Sequence, residues 1–261
     1  MISLSQLNEI QVVVFSLVLL RMTAFVFSAA IFNSTSVPIV AKVLFSVVLT
    51  MLMYSSVATT QTVARVSDLE GSLILMSVVE LLTGLCLGFL TRIFFFAVSM
   101  AGELISVAMG LGQAQMFNPL VGNMGNAMEQ FFVFVATLLY LTINGHHHLI
   151  HALTESFKLI PLAHTNLSTN GFLSIVESAQ QFFVLGIKIS SPVVISMMLV
   201  QVGVGLLSRA VPQINVLTTS ASITTALGFL VLFISLPLIV FQMTGLVDIT
   251  ALELFKFIKQ F

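Results

Sequence analysis

An all-α integral membrane fold is predicted for this chain by three observations. Of its 261 residues, 58% are hydrophobic and only 7% are charged, whereas a soluble domain carries about 25% charged residues. The apolar residues show no strand-like alternation and no internal repeat. They gather instead in six long blocks, at roughly 10–32, 37–57, 72–107, 128–150, 172–207 and 221–247.

Each block is long enough to cross a membrane, because a span needs about 20 residues. Blocks 72–107 and 172–207 would each extend about 54 Å as straight helices, beyond a hydrocarbon core of about 30 Å. We therefore expect them to break, tilt or project into other protein, with a kink near Ser190–Pro192. Trp is absent and Tyr occurs twice. Since Trp and Tyr usually flank membrane spans, their scarcity indicates that much of the apolar surface meets protein.

The connections between blocks carry turn and cap residues. Ser36 is predicted to cap the second block, with Pro38 in its first turn. Residues 58–71 form a polar connection, and residues 162–171, rich in Ser, Thr and Asn, separate the two halves of the chain. The C-terminal Leu252–Phe261 is interpreted as a short amphipathic piece.

Several charges fall within or beside the apolar blocks. Ionisable groups inside a membrane are costly and normally face a bundle interior or a wet cavity. We interpret them as pairing between helices or subunits, the alternatives being a proton or ion relay and helix ends that reach the surface. They are Arg21, Lys42, Glu80, Arg92, Glu103, Glu129 and Lys188.

Small residues in the third block predict close helix packing. Gly84-x-x-x-Gly88 is a spacing that lets helices approach closely. Ser99, Gly102 and Ser106 follow at helical spacing, so one slim face is expected to run along this helix.

The segment Met109–Met128 is unlike its surroundings. It carries no charge, four Gly, four Met, five amide side chains and one Pro. Gly and Pro disfavour a helix, while its apolar residues are untypical of a solvated loop. We interpret it as an adjustable element that lines or closes a pathway, the alternative being a buried connector. The candidate plug or gate residues are Met109, Gly110, Gly112, Met116, Phe117, Asn118, Pro119, Gly122 and Met124.

No enzyme, cofactor or metal site is predicted. Cys86 is the one cysteine, which excludes a disulfide within the chain. His147 and His151 lie four residues apart and can share a helix face, but no further ligand completes a metal site nearby. We interpret Asn144–His151 as an interfacial turn, with metal binding or pH sensing as alternatives. A net charge of −1 with scattered basic residues excludes a nucleic-acid patch.

Six motifs occur along the chain in a distinctive order and spacing. They are Ala101-Gly-Glu103, Met109-Gly110, Phe117-Asn-Pro119, Gly122, Asn144-Gly-His146 and Gly205-Leu-Leu-Ser-Arg-Ala-Val-Pro-Gln-Ile-Asn-Val216. Together they resemble the FliR family of flagellar biosynthesis, export-gate subunits related to SctT of virulence secretion systems. The chain departs from the family at Asn118, where Asp is common, and at Leu217–Ser222, where a Gly-Phe-Pro-like segment is expected.

The resemblance implies a fold of helical hairpins and long kinked helices that assemble into a multi-subunit export gate. It implies one copy of this subunit with FliP and FliQ, and FlhB and FlhA as further partners. The location would be the bacterial inner membrane within the flagellar basal body.

The resemblance also implies a channel for unfolded flagellar proteins, in which residues 109–128 contribute a plug. Residues 1–165 would be FliP-like, and residues 166–261 would be a FliQ-like hairpin with its turn at Arg209, Pro212, Gln213 and Asn215. The alternative is a small-molecule secondary transporter or channel subunit, in which the broken segment coordinates substrate.

Overall fold

The predicted all-α class is confirmed by the computed structural model, which describes residues 4–32, 37–58, 62, 64, 66, 73–111, 127–162, 169–210 and 216–260. These residues contain helices and no strand. A short 3-10 turn, Ala30–Phe32, follows the first helix. The α-helices are α1 (Leu4–Ser28), α2 (Ile39–Val57), α3 (Leu73–Ala108), α4 (Ala127–Thr142), α5 (Gly145–Leu159), α6 (Thr169–Ala210) and α7 (Val216–Gln260).

Three helices exceed the thickness of a bilayer. Helices α3, α6 and α7 contain 36, 42 and 45 residues, or about 54, 63 and 68 Å at 1.5 Å per residue. Pro192 lies inside α6 and Pro237 inside α7 without ending either helix. The two blocks that the sequence marks as too long for one span are therefore continuous helices, and α7 is a third.

Five of the described helices are long and apolar enough to cross a membrane. The count becomes six if α4 and α5, which are separated by a short break, form one span. This supports the predicted membrane class. The buried share is 44% in the most apolar window of α3, but only 22% in that of α7 and 11% in that of α2. The window of α1 is also 44% buried, so α1 and α3 are the most buried of these five helices.

Three predicted boundaries are corrected. Pro38 is the N-cap residue of α2 and not part of its first turn, since its ψ of 144° is extended; Ser36 lies outside the described residues. The fourth apolar block is two helices, because Asn144 takes a left-handed φ of 57°. Helix α6 begins at Thr169, within the predicted connection 162–171.

The C-terminal piece is not separate, because α7 continues to Gln260. Leu254, Phe257 and Ile258 are each 1% exposed, so burial of one apolar face carries the helix through this stretch. Of the predicted polar connection 58–71, residue 58 and three helical positions (62, 64 and 66) are described, and Val66 is buried.

The chain forms two compact units, each built from separate stretches of sequence. The first contains Met1–Ile93, Asn144–Ala179 and Ile249–Phe261; the second contains Phe94–Ile143 and Gln180–Asp248. The division at residues 165 and 166 concerns likeness to partner subunits, and it stays a prediction.

Polar and aromatic contacts mark the core of each unit. In the first unit, the Ser178 hydroxyl donates to the Glu253 carboxylate at 2.7 Å, joining α6 to α7. In the second unit, Phe94 lies 5.6 Å from Tyr140, ring centroid to ring centroid, joining α3 to α4. A Cβ on Gly186 would lie 2.8 Å from the Ala97 carbonyl oxygen, so α6 passes very close to α3.

Candidate functional site

A buried charge pair joins three helices of the first unit. Arg21 on α1 and Glu80 on α3 are 0% and 1% exposed, and Arg21 Nε donates to Glu80 Oε2 at 2.6 Å. The other guanidinium nitrogens donate to the carbonyl oxygens of Ser156, at 3.2 Å, and Ile160, at 3.1 Å. Arg21 therefore connects α1 and α3 to the C-terminal end of α5.

The surroundings of Arg21 stabilise its positive charge in one place, which favours a structural role over a proton or ion relay. Its guanidinium carbon lies 4.3 Å from the centre of the Phe157 ring, in a cation–π arrangement. The carbonyls at the end of α5 carry the negative end of the helix dipole, which favours a cation. Arg21 and Glu80 thus have the pairing between helices that the sequence interpretation favours, and they satisfy each other inside the unit.

The remaining charges in the apolar blocks have different surroundings. Arg92, Glu103 and Lys188 are exposed, while Lys42 is half-buried. Glu129 is half-buried and accepts a hydrogen bond from Ser99. Among the described residues, no group of three or more His, Cys, Asp or Glu side chains could hold a metal ion.

Gly84 and Gly88 lie where α3 crosses α1. A Cβ on Gly84 would overlap the Arg21 carbonyl oxygen and lie 2.8 Å from Ala24 Cβ. A Cβ on Gly88 would overlap the Ser28 hydroxyl and lie 2.8 Å from the Phe25 carbonyl oxygen. At both positions a side chain would meet backbone atoms of α1, which cannot give way cheaply.

Helix α3 ends in a Schellman motif at the start of the predicted gate segment. Gly110 has a φ of 75°, a conformation that glycine adopts without strain. The Gly110 and Leu111 amides donate to the carbonyls of Val107, at 3.0 Å, and Ser106, at 3.1 Å. Met109 is completely buried. Met109 and Gly110, both predicted gate residues, therefore form a fixed helix end.

The first turn of α4 packs against the last turns of α3. Gly102 faces the first turn of α4, since a Cβ on Gly102 would lie 2.8 Å from Glu129 Cα. The Ser99 hydroxyl donates to the Glu129 carboxylate there. Gly102 precedes the last residue of α3 by six positions, or about 9 Å along the helix. The two ends of the segment 112–126 are thus both set by the final turns of α3.

Most other predicted gate and turn residues lie outside the described part of the chain. Arg209 is described, and it is an exposed residue in the last turn of α6. The undescribed positions are Gly112, Met116, Phe117, Asn118, Pro119, Gly122, Met124, Pro212, Gln213 and Asn215.

The four histidines of Asn144–His151 belong to α5, and the turn itself is confined to Ile143 and Asn144. This corrects the interpretation of Asn144–His151 as a turn throughout. His147 and His151 are exposed, and the His151 ring lies 5.5 Å from the Phe255 ring.

Three residues that contact the end of α3 were not found from the sequence. They are Gln201 on α6 and Thr225 and Gly228 on α7. A Gln, a Thr and a Gly within apolar helices are common and carry no motif. These residues are placed against the end of α3, where carbonyl oxygens require hydrogen-bond donors. Their role can be recognised only once the neighbours of α3 are known.

Comparison with known proteins places this arrangement in a family. Residues 12–249 match the family described as bacterial export proteins, family 1. The chain belongs to this family. The match includes the charge pair, the glycines on α3 and both ends of the segment 112–126.

The relatives of this member of export family 1 include flagellar biosynthetic proteins FliR, which confirms the resemblance drawn from the sequence motifs. The protein of Bacillus subtilis (strain 168) is 29% identical over 228 residues, covering 86% of each chain. That of Escherichia coli (strain K12) is 28% identical over 221 residues, covering 85% of this chain and 83% of its own. That of Aquifex aeolicus (strain VF5) is 34% identical over 169 residues, covering 64% of each.

Proposed function

We propose that this protein is a structural and gating subunit of the flagellar type III protein export channel. One copy assembles with FliP and FliQ in the bacterial inner membrane at the basal body, in contact with FlhB and FlhA. Unfolded flagellar proteins pass through the channel, and residues 109–128 contribute to its plug. The protein carries no catalytic role in this proposal.

The observation that carries the proposal is apolar surface that lipid cannot cover. On α6, exposed apolar side chains run from Leu173, which is 55% exposed, to Leu207, which is 67% exposed. These residues are 34 positions apart, or about 51 Å. A straight helix of that length would need a tilt of about 54° to fit a hydrocarbon core of about 30 Å, beyond the usual range of 0–40°. Part of this surface therefore needs other protein subunits to cover it.

The geometry of α3 supports a gating role for the segment that follows it. A segment whose flanking residues are both held against the last turns of α3 can change its own conformation without displacing that helix. Met side chains are flexible and polarizable, and their dispersion contacts are individually weak. Such contacts can seal against ions and still yield to a passing chain.

The transporter alternative has less support. A secondary transporter places ionisable groups where they bind substrate or coupling ions. Arg21 and Glu80 are a buried pair of opposite charges in the first unit, and the guanidinium of Arg21 donates to Glu80 and to the end of α5. This favours a structural role for the pair.

Co-expression and purification test the assembly. Produced without partners, the protein should be degraded or aggregate, and it should become stable with FliP and FliQ. A folded, monodisperse monomer in mild detergent would contradict the proposal.

Deletion of Gly110–Gly122 tests the gate. We expect the complex to assemble and the membrane to leak small ions, as measured by conductance or growth inhibition in cells that produce it. With Met116 and Phe117 replaced by Ala, the membrane should leak less than with the deletion, because contact area is lost while the backbone remains. If the deletion assembles and the membrane stays tight, the segment is a connector and the seal lies elsewhere.

A further inference from the structure

The C-terminal end of α3 has two carbonyl oxygens that the helix itself does not satisfy. The last carbonyls of a helix lack amide partners from a following turn. The Schellman motif supplies amide donors to Ser106 and Val107. The next two carbonyls in the chain belong to Ala108 and Met109, and they need donors from elsewhere.

Two neighbouring helices of the same unit supply those donors. Gln201 Nε2 on α6 donates to the Ala108 carbonyl oxygen at 3.1 Å. Thr225 Oγ1 on α7 donates to the Met109 carbonyl oxygen at 3.2 Å. Successive carbonyls at the end of α3 are thus held by two different helices.

The side chain of Met109 packs against α7 one turn beyond Thr225. Gly228 lies three residues after Thr225, on the same face of the helix. A Cβ on Gly228 would lie 2.7 Å from Met109 Cγ and 3.2 Å from Met109 Cβ. Met109 is completely buried in this contact, so Gly228 is the residue that leaves room for it.

We propose that Gln201, Thr225 and Gly228 form a receiving site for the end of α3 and act as positioning residues for the closed channel. They fix where the chain leaves α3 at Gly110 and Leu111, and this position sets how tightly the closed state seals. The sealing part of the inference rests on the proposed function, whereas the positioning part rests on the contacts alone.

The three residues should contribute unequally to holding the end of α3. Thr225 is half-buried and Gln201 is exposed. Water can replace the donor of an exposed side chain but not readily that of a buried one. We therefore expect the order of effect to be Gly228 and Thr225 first, then Gln201.

The experiment uses the assembled complex and pairs each variant with a control. Thr225→Val removes the hydroxyl at nearly constant shape, and Thr225→Ser keeps it. Gly228→Ala adds a Cβ against Met109, and Gly245→Ala adds one on the same helix where no atom lies within 4 Å. Each complex is measured for yield, for amide hydrogen exchange of residues 106–111, and for ion leak in cells.

Loss of one side-chain hydrogen bond should raise exchange at Met109–Leu111 by roughly 2- to 10-fold. We expect Thr225→Val and Gly228→Ala to raise both exchange and leak, and Thr225→Ser and Gly245→Ala to change neither. Adding Met109→Ala to Gly228→Ala should lower exchange again, because the crowded Cγ and Cε atoms are removed.

The outcomes separate this inference from the proposed function. Unchanged exchange in both Thr225→Val and Gly228→Ala would overturn the receiving site. Raised exchange without leak would overturn its role in sealing, provided that the Gly110–Gly122 deletion leaks. If that deletion does not leak, the gating proposal fails, and exchange decides whether the site positions α3.

Discussion

Removing Arg21 should destabilise the protein more than removing its partner Glu80. Arg21→Met leaves a carboxylate that is 1% exposed without its cation, and breaking a buried pair in this way costs about 3–5 kcal/mol. It also removes the donor to the Ile160 carbonyl, worth about 1–3 kcal/mol if nothing replaces it. Glu80→Gln leaves the guanidinium with the end of α5 and the Phe157 ring, so its cost should be smaller.

The double replacement Arg21→Met with Glu80→Leu separates the charge from the packing. It removes the stranded carboxylate, and apolar replacement of a buried pair is often neutral or stabilising. It should therefore be more stable than Arg21→Met, while the carbonyl at Ile160 remains without its donor. The coupling is the change in stability of the double replacement minus the changes for Arg21→Met and for Glu80→Leu measured singly.

The assay heats the purified complex and uses size-exclusion chromatography to measure the temperature at which half of it is lost. The cellular protein level is a second measure. A loss of about 4 kcal/mol should lower the midpoint by about 10 °C for a chain of this size. Lys188→Met, at an exposed position on α6, is the control and should change stability by less than about 0.5 kcal/mol. Equal midpoints for Arg21→Met and Lys188→Met would refute the reasoning, as would a double replacement no better than Arg21→Met.

Three further predictions follow from packing, exposure and charge. Gly84→Ala should destabilise the complex by about 1–3 kcal/mol through contact with the backbone of α1, whereas Gly203→Ala, with no atom within 4 Å of the new Cβ, should be neutral or slightly stabilising. A lowered thermal midpoint for Gly84→Ala and an unchanged or raised one for Gly203→Ala are the check. Replacing His147 and His151 together by Gln should leave motility and export nearly unchanged, because both side chains are exposed; loss of export together with a stoichiometric bound metal would contradict this. Met116→Lys should make the closed channel leak, because an unpaired charge among apolar side chains is costly; normal conductance in an assembled complex would count against the plug.

The sequence predicts the class of the fold because composition is sufficient for that purpose. A chain with 7% charged residues and long apolar blocks forms helices in a membrane, where every backbone group must be satisfied within the segment. It predicts a turn at Asn144–His151 but not the helix that begins at Gly145. Asn-Gly is a turn signal, but only the left-handed φ at Asn144 shows that the block is two helices.

The sequence does not determine which residues and helices of the chain contact each other. The cost of burying Arg21 and Glu80 predicts that they pair with something, yet they are 59 residues apart, and nothing local selects one for the other. The Gly84–Gly88 spacing likewise indicates close packing without naming α1 as the neighbour. In each case the residue type follows from a local physical need, and the identity of the partner follows from the fold.

Polar contacts at helix ends explain how an apolar chain reaches one arrangement. Where lipid surrounds the helices, apolar burial gives them little preference for each other, and side chains such as those on α2 can pack in many registers. A helix that ends within protein has a stricter need, since its last carbonyls require donors at fixed positions. Arg21 meets that need at the end of α5, and Gln201 and Thr225 meet it at the end of α3. Each donor fits only one placement of its helix, so these ends, more than the apolar faces, specify which helices meet.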